Sequence, residues 1–399
     1  MTAGGPAGLL PLADLRVIEL GSTIAGAFCA KLMAAFGAEV IKVEPPGGDP
    51  CRRLGPFAAD RPELERSLPF LYLNTGKLSV TLEPETASGR ALLGRLASDA
   101  QIVLDSLGPG RLEALGLPYA ELAALSPGTV LTSIADFGLD GPYRDYLGGE
   151  LVLLALGGLL NMIGEPECEP LRLGGYQAQY VTGLSAFTGT LAAIHERDAT
   201  GRGQRVEVSA QESVAFVEWK SGIYYQADGQ LRRRGGRKAQ WLVLRCRDGF
   251  AAFVYQDEHW PRVRELIGDE RLSDPRFDTR AGRLAHREEL RPLLEAWTAQ
   301  RSKSEVYHRA QAAGIPVGMV ADVADLVASP QYAARGFMAT VDHPATGLAR
   351  YPSVACTLDG DRPTPRRAPL LGEHNLAIYC DRLGLTTTEV VGLRERGVL

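Results

Sequence analysis

Groups that could capture a phosphate are the clearest chemical signal in the residues themselves. Five cations fall within the seven residues of RRRGGRK (232–238), where arginine forks could bind phosphate in a bidentate manner. Two small-residue turns, GSTIAGAF (21–28) and LGPG (107–110), follow apparent strands, where backbone can approach a cofactor closely. Each feature can also be structural, as a solvated loop or a tight turn. Residue types and spacing therefore favour a nucleotide-type ligand without assigning a reaction.

The remaining reactive side chains form no recognised catalytic or metal-binding pattern. The six histidines include no HExxH motif, and the scattered cysteines include no CxxC pair, so no metal is expected. A formal net charge of −5 argues against binding to nucleic acid. We recognise no secretory signal and no apolar stretch long enough to span a bilayer, so we predict a cytoplasmic protein that binds no membrane.

Strand and helix patterns alternate along the first third of the chain. The predicted strands are 14–22, 39–46, 78–83, 101–107 and 129–138, and the predicted helices between them are 25–38, 86–100 and 118–127. This alternation predicts an α/β fold with a doubly wound parallel sheet. A ligand of such a sheet binds beyond the carboxyl ends of the strands, which lie at residues 22–26, 105–111 and 134–138.

The rest of the chain predicts a second, smaller domain of α+β type. Helical patterns cover 150–196 and 211–226, WLVLRCRDGFAAFVY (241–255) predicts a β-hairpin, and AGIPVGMV (313–320) predicts a further strand. We therefore expect residues 1–224 to form the first part of a large domain and residues 225–325 to form a small domain. Residues 326–399 are expected to return to the large domain.

Six strings, in this order along nearly the whole chain, carry a resemblance to a known family: 12–49, 73–83, 107–117, 199–214, 313–320 and 367–375. They resemble the class III CoA-transferases, a family that includes formyl-CoA transferase, carnitine CoA-transferase, bile-acid-inducible protein F and α-methylacyl-CoA racemase. The resemblance implies a Rossmann-like large domain, an intertwined dimer, and coenzyme A or acyl-CoA as substrate together with a carboxylic acid.

The resemblance also implies which residues contact CoA: Ser22, Thr23, Ile24, Ala25, Lys77, Ser106 and Leu107. The chain departs from the family at two CoA-contacting arginines, because Pro45 and Ala114 stand in their places. Arg111 or the basic segment 232–238 could compensate for their loss.

The main departure concerns the catalytic acid. In the family's transferases an aspartate attacks the acyl-CoA thioester, and its position here holds Gln179. No aspartate or glutamate occurs from 170 to 195, so a small change of register does not supply one. The racemase pair of histidine and aspartate falls on Gly149 and Gln179. The nearest carboxylates that the resemblance brings to the site are Glu150 and Asp257.

Four interpretations stay open for this departure. The chain could be the non-catalytic subunit of a heterodimer with an intact paralogue, or a true transferase that uses another carboxylate as nucleophile, with Glu150 as the best candidate. It could instead be an isomerase, lyase or dehydratase, in which Glu150 or Asp257 exchanges protons and Gln179 hydrogen-bonds the thioester carbonyl. The fourth is a non-catalytic protein that binds acyl-CoA.

Overall fold

The fold is taken from a computed structural model, which describes residues 10–231, 234 and 241–399. The described residues form two units. The first contains residues 10–161, 171–231 and 334–399, and the second contains residues 162–170, 234 and 241–333. The small domain expected at 225–325 overlaps this second unit.

A six-stranded parallel sheet is the centre of the first unit. Its strands are β1 (Arg16–Gly21), β2 (Glu39–Glu44), β3 (Leu78–Thr81), β4 (Ile102–Ser106), β5 (Val130–Ala135) and β6 (Arg205–Ser209). They lie in the order β3-β2-β1-β4-β5-β6, with every neighbouring pair parallel. The order reverses between β1 and β4, which is where an open parallel sheet leaves a crevice for a ligand.

The helices of the first unit are α1 (Ile24–Ala35), α2 (Leu68–Leu73), α3 (Ala87–Ser98), α4 (Arg111–Ala114), α5 (Tyr119–Leu125), α6 (Glu150–Leu156), α7 (Gln177–Thr200), α8 (Ala210–Val217) and α9 (Trp219–Asp228). The helices predicted over 25–38, 86–100 and 118–127 are present as α1, α3 and α5, whereas the helical pattern over 150–196 is interrupted between α6 and α7. One helix was predicted over 211–226, but two are present, because Glu218 leaves helical geometry with φ −95° and ψ 21°. The short helices α2 and α4 were not predicted.

Two apolar cores cover the two faces of the sheet. Ile18 and Ile41 point to the face that packs on α3, whereas Val17 and Val40 point to the face that packs on α1 and α7. Successive side chains of a strand alternate between faces, so these continuous apolar runs fill both cores.

The second unit contains a three-stranded antiparallel sheet. Its strands are β7 (Trp241–Cys246), β8 (Gly249–Val254) and β9 (Val317–Met319), in the order β7-β8-β9. Its helices are α10 (Trp260–Ile267), α11 (Arg280–Ala285), α12 (Arg287–Thr298), α13 (Lys303–Ala312) and α14 (Val323–Val327), and α15 (Pro330–Ala334) follows at the boundary of the unit.

The C-terminal segment attaches to the edge strand β3. An antiparallel hairpin comes first, formed by β10 (Met338–His343) and β11 (Gly347–Pro352), and α16 (Thr387–Glu395) follows later. Between them, Nδ1 of His374 accepts the N–H of Ser79 at 3.1 Å, and Oδ1 of Asn375 accepts the N–H of Thr81 at 2.9 Å. These bonds satisfy backbone groups on the outer edge of β3.

Candidate active site

Two cavities lie beyond the carboxyl ends of the strands and meet at Leu107. The first, the β5 cavity, has a volume of about 210 Å³ and is lined by Thr23, Ala25, Ser106, Leu107, Gly108, Pro109, Ile134, Ala135, Asp136, Arg144, Tyr146, Gln179 and Ala210. The second, the β2 cavity, has a volume of about 290 Å³ and lies beyond the ends of β1, β2 and β3. All three segments expected at the crevice contribute residues to these walls.

The turn after β1 lies directly on Ser106 at the end of β4. A Cβ added to Gly21 would lie 2.5 Å from the carbonyl carbon of Ser106, and one added to Gly26 would lie 2.7 Å from its hydroxyl oxygen. Thr23, between these glycines, caps α1 by accepting the N–H of Gly26 at 3.0 Å. The small residues of GSTIAGAF therefore allow a close approach that positions the first turn of α1 at the cavity.

Replacing Gly21 should test this close approach. We expect Gly21→Ala to lower the free energy of unfolding by about 1–3 kcal/mol, because φ is +95° and the added carbon meets Ser106 backbone. Gly94→Ala is the control: Gly94 lies inside α3 with nothing within 4 Å of the added carbon, so its change should be neutral or stabilising. Urea unfolding of both variants gives the comparison, and equal effects would contradict the prediction.

Gln179 lies in the first turn of α7 and links two walls of the β5 cavity. Its carbonyl Oε1 accepts the backbone N–H of Ala25 at 3.2 Å. Its side chain also lies near the carboxyl group of Asp136 and helps to lower the pKa of that acid. The buried amide thus contacts the start of α1 and faces the end of β5.

Asp136 is an acid on the same cavity wall as Gln179, and sequence reasoning did not single it out. It follows β5 directly and lines the β5 cavity. Burial raises the pKa of Asp136 above its ordinary value, while the nearby Gly148 backbone and Gln179 side chain oppose the rise. Its position in the sequence could have identified Asp136 as a candidate, because residues 134–138 were already expected at the crevice.

Glu150 also lies beside Gln179, where it caps a helix. Its Oε1 accepts the N–H of Ala178 at 2.9 Å and its Oε2 accepts the N–H of Gln179 at 3.3 Å. Both N–H groups belong to the first turn of α7, which lacks a side-chain cap from its own N-cap residue, Tyr176. A carboxylate at this end of a helix is also favoured by the helix dipole.

Asp257 belongs to the second unit. It begins the short turn before α10 and pairs with the guanidinium of Arg283, which is fully buried and donates to the carbonyl of Phe277 at 2.7 Å. Its role beside an acyl group stays a prediction.

Lys77 lies beneath the turn after β1 rather than in a cavity wall. Its ammonium contacts Glu19 Oε2 at 2.7 Å, the carbonyl of Ala27 at 2.9 Å and Asn74 Oδ1 at 2.9 Å, and its side chain is fully buried. Burial lowers the pKa of Lys77 to about 8. The expected contact between Lys77 and CoA is not supported by this position, because the ammonium is occupied in supporting α1.

The β2 cavity brings together three other residues for which CoA contact was considered. Ser22, Leu107 and Arg111 line it, as does Pro45, which stands where the family has an arginine. Arg111 pairs with Glu85 at 2.6 Å in an exposed position. Ile24 lines neither cavity and packs against the apolar cluster that contains Phe70.

The basic segment 232–238 falls outside the described residues except for Arg234. The guanidinium of Arg234 donates to the carbonyls of Glu165 at 3.1 Å and Cys168 at 2.7 Å. Within the described ranges, no three His, Cys, Asp or Glu side chains are grouped so that they could hold a metal ion. No helix among the described residues combines the length and apolarity needed to cross a membrane.

The fold and site define an α/β protein with a ligand crevice at the point where the strand order of its sheet reverses. A family model for CoA-transferase family III matches residues 12–375, so the chain belongs to that family. It is 34% identical to the succinyl-CoA–D-citramalate CoA-transferase of Chloroflexus aurantiacus, covering 98% of each chain. It is 32% identical to the succinyl-CoA:(R)-benzylsuccinate CoA-transferase subunit BbsE of Thauera aromatica, covering 96% of this chain and 97% of that one.

A solved structure of the same family is similar to this chain. A CaiB/BaiF family protein from Brucella suis superimposes with a TM-score of 0.85 at 31% identity. The match covers 94% of this chain and all of that chain.

Proposed function

We propose that this protein transfers CoA from an acyl-CoA thioester to a carboxylic acid. The observation that carries the proposal is the pair of cavities at the carboxyl ends of the strands, in a member of CoA-transferase family III. Relatives of this chain are named as transferases that use succinyl-CoA, and these names support a carboxylic acid as acceptor. No metal is part of the proposal.

The two cavities suggest where different parts of CoA would bind at the carboxyl edge of the Rossmann-like sheet. Ser22 and Arg111 are proposed to contact CoA in the β2 cavity, whereas Thr23, Ala25 and Ser106 are proposed to face the thioester end in the β5 cavity. Leu107 lines both cavities and would contact the chain that connects the two ends. Ile24 and Lys77 would support this surface from behind.

A bulky residue at Leu107 should block this path. We expect Leu107→Trp to raise the KM for acyl-CoA by on the order of tenfold or more, because the larger ring fills the point at which the cavities meet. Leu125→Trp, at a site on α5 that is 54% exposed, is the matched control and should leave KM unchanged. An unchanged KM in Leu107→Trp would place CoA elsewhere.

The activity itself is tested with the purified protein alone. Succinyl-CoA and formyl-CoA would serve as donors and a panel of mono- and dicarboxylic acids as acceptors, with new thioesters identified by mass spectrometry. Transfer to any acceptor supports the proposal. Binding of CoA thioesters without transfer would instead favour a non-catalytic protein, and products other than a new thioester would favour an isomerase, lyase or dehydratase.

A second candidate, the non-catalytic subunit of a heterodimer, is favoured by the amide at Gln179. Addition of a paralogue with an intact aspartate should then be required for transfer.

An intertwined dimer, of two copies or of two paralogues, is supported by α9, none of whose ten described residues is buried. It exposes Trp219, Ile223 and Tyr225, an apolar surface that a second chain would cover. Measuring mass in solution would test the dimer, and cell fractionation would test the predicted cytoplasmic location.

A further inference from the structure

Asp136 and Gln179 both line the β5 cavity, with the Gln179 side chain facing the Asp136 carboxyl group. We propose that Asp136 is the nucleophilic carboxylate of this protein, and that it takes the role which the family resemblance assigns to position 179. The inference rests on the proposed function, CoA transfer from a thioester to a carboxylic acid, and adds the group that carries the acyl and CoA moieties between them.

The position of Asp136 suits a nucleophile. It is the first residue after β5, so a central strand of the sheet fixes its backbone, and its carbonyl accepts the N–H of Gln211 at 3.0 Å. Gly148 packs against the carboxyl group so closely that a Cβ there would lie 2.3 Å from Oδ2. The side chain is only partly buried and lines the cavity. A carboxylate held on one side and open on the other can meet a thioester in a fixed orientation.

The amide at Gln179 is chemically matched to a carboxylate at Asp136. The amide oxygen accepts the N–H of Ala25, and the NH₂ group at the other end is one that can donate to a carboxylate on the same cavity wall. An aspartate at position 179 could accept from Ala25, but it would face Asp136 with a second negative charge. Gln179 is therefore a positioning residue for Asp136. The amide replaces the family's aspartate at position 179, and the same amide can lie beside the carboxylate of Asp136 without charge repulsion.

Glu150 is the less suitable carboxylate because both of its oxygens are engaged. They accept the N–H groups of Ala178 and Gln179 at the start of α7. An attack on a thioester would withdraw one oxygen from a helix end that has no other side-chain cap. Asp136 lies at the cavity wall, and its partial burial removes some of the hydration that would weaken a carboxylate nucleophile.

In the first half of the reaction, a carboxylate oxygen of Asp136 attacks the carbonyl carbon of the donor thioester. The carbon–sulfur bond breaks, CoA leaves as a thiolate, and a mixed anhydride joins Asp136 to the donor acyl group. The thiolate then attacks the Asp136 carbonyl carbon of the anhydride. The donor acid leaves as a carboxylate, and Asp136 is left as a thioester of CoA.

The second half reverses these steps with the acceptor. The acceptor carboxylate attacks the carbonyl carbon of the Asp136 thioester, CoA thiolate leaves, and a second anhydride forms. The thiolate attacks the acceptor carbonyl carbon, which produces the new thioester and frees Asp136 as a carboxylate. No oxidant or reductant is needed and no proton is gained or lost overall.

The first experiment compares Asp136→Asn with Asp140→Asn, an exposed acid in the same loop. We expect Asp136→Asn to lower kcat by on the order of 10³-fold or more, because an amide cannot form the anhydride, and Asp140→Asn to behave as the unmodified protein. The double variant Asp136→Asn with Gln179→Asp returns a carboxylate to the facing position and should recover transfer over Asp136→Asn alone. Recovery would show that transfer requires a carboxylate on this wall of the cavity, and the position of the covalent adduct in the second experiment distinguishes Asp136 as the nucleophile from a structural role.

The second experiment maps the adduct in the unmodified protein, so it does not depend on the folding of a variant. Incubation with succinyl-CoA and hydroxylamine should convert the activated Asp136 into a hydroxamate, which peptide mass spectrometry locates. A hydroxamate on Glu150, or full transfer by Asp136→Asn, would overturn the role of Asp136 and leave the proposed function standing. A protein that neither transfers CoA nor forms an adduct with any thioester tested would overturn the proposed function and the role of Asp136 together.

Discussion

Lys42→Met should lower the free energy of unfolding by about 3–5 kcal/mol, because it leaves buried carboxylates without their cation. The ammonium of Lys42 lies 3.0 Å from Glu19 Oε1 and 2.6 Å from Asp49 Oδ2, and all three side chains are almost completely buried. Burial lowers the pKa of Lys42, but the carboxylates of Asp49, Glu19 and Glu44 outweigh it and raise the pKa above its ordinary value. The charged form is therefore the one on which the folded state depends.

The measurement is urea unfolding at neutral pH, with Arg394→Met as the control. Arg394 is exposed on α16, so its replacement should change the free energy of unfolding by less than about 0.5 kcal/mol. In Lys42→Met, Lys77 still pairs with Glu19, so Asp49 is the carboxylate that loses its cation. Similar small effects in both variants would show that the buried charges are not coupled as their distances indicate.

The first unit could be predicted from the sequence because its order follows local rules. Short turns between apolar strands and helices leave a parallel sheet as the arrangement that buries both faces. The break in the helix at Glu218 and the short helix α2 were not predicted, for local reasons. One residue leaves helical geometry inside an otherwise helical pattern, and α2 is a single short helix that depends on a cap from Ser67.

The candidate site was predictable by segment but not by side chain. The parallel-sheet rule correctly brings 22–26, 105–111 and 134–138 to one edge, and the cavities contain residues of all three. Whether a side chain points into a cavity or beneath it depends on partners far away in sequence. Lys77 meets Glu19 across 58 positions, and Gln179 meets Ala25 across 154 positions. Sequence spacing alone does not reveal these contacts, so Lys77 was expected at CoA and Asp136 was not singled out.

The pH dependence of stability should differ strongly between the unmodified protein and Lys31→Met. Lys31 is buried, and no acid among the described residues pairs with it: its ammonium donates to the carbonyl of Tyr72 at 2.7 Å and contacts the hydroxyl of Thr75 at 3.1 Å. Burial, helped by the nearby charge of Lys77, lowers the pKa of Lys31 from 10.5 to about 7. The folded protein therefore releases this proton at a pH where the unfolded chain still holds it.

This difference fixes the sign of the effect. Below pH 7 both states carry the charge, and folding must bury it at full cost; between pH 7 and 10.5 only the unfolded chain keeps the proton, so stability rises with pH. Relative to Lys31→Met, the unmodified protein should gain about 3–4 kcal/mol of unfolding free energy from pH 6 to pH 10, at about 1.4 kcal/mol for each pH unit above the folded pKa. Urea unfolding of both proteins at these two pH values measures the gain, and Arg394→Met should track the unmodified protein at both. Parallel pH curves for Lys31→Met and the unmodified protein would mean that Lys31 keeps an ordinary pKa, and hence that water reaches its ammonium in the folded state.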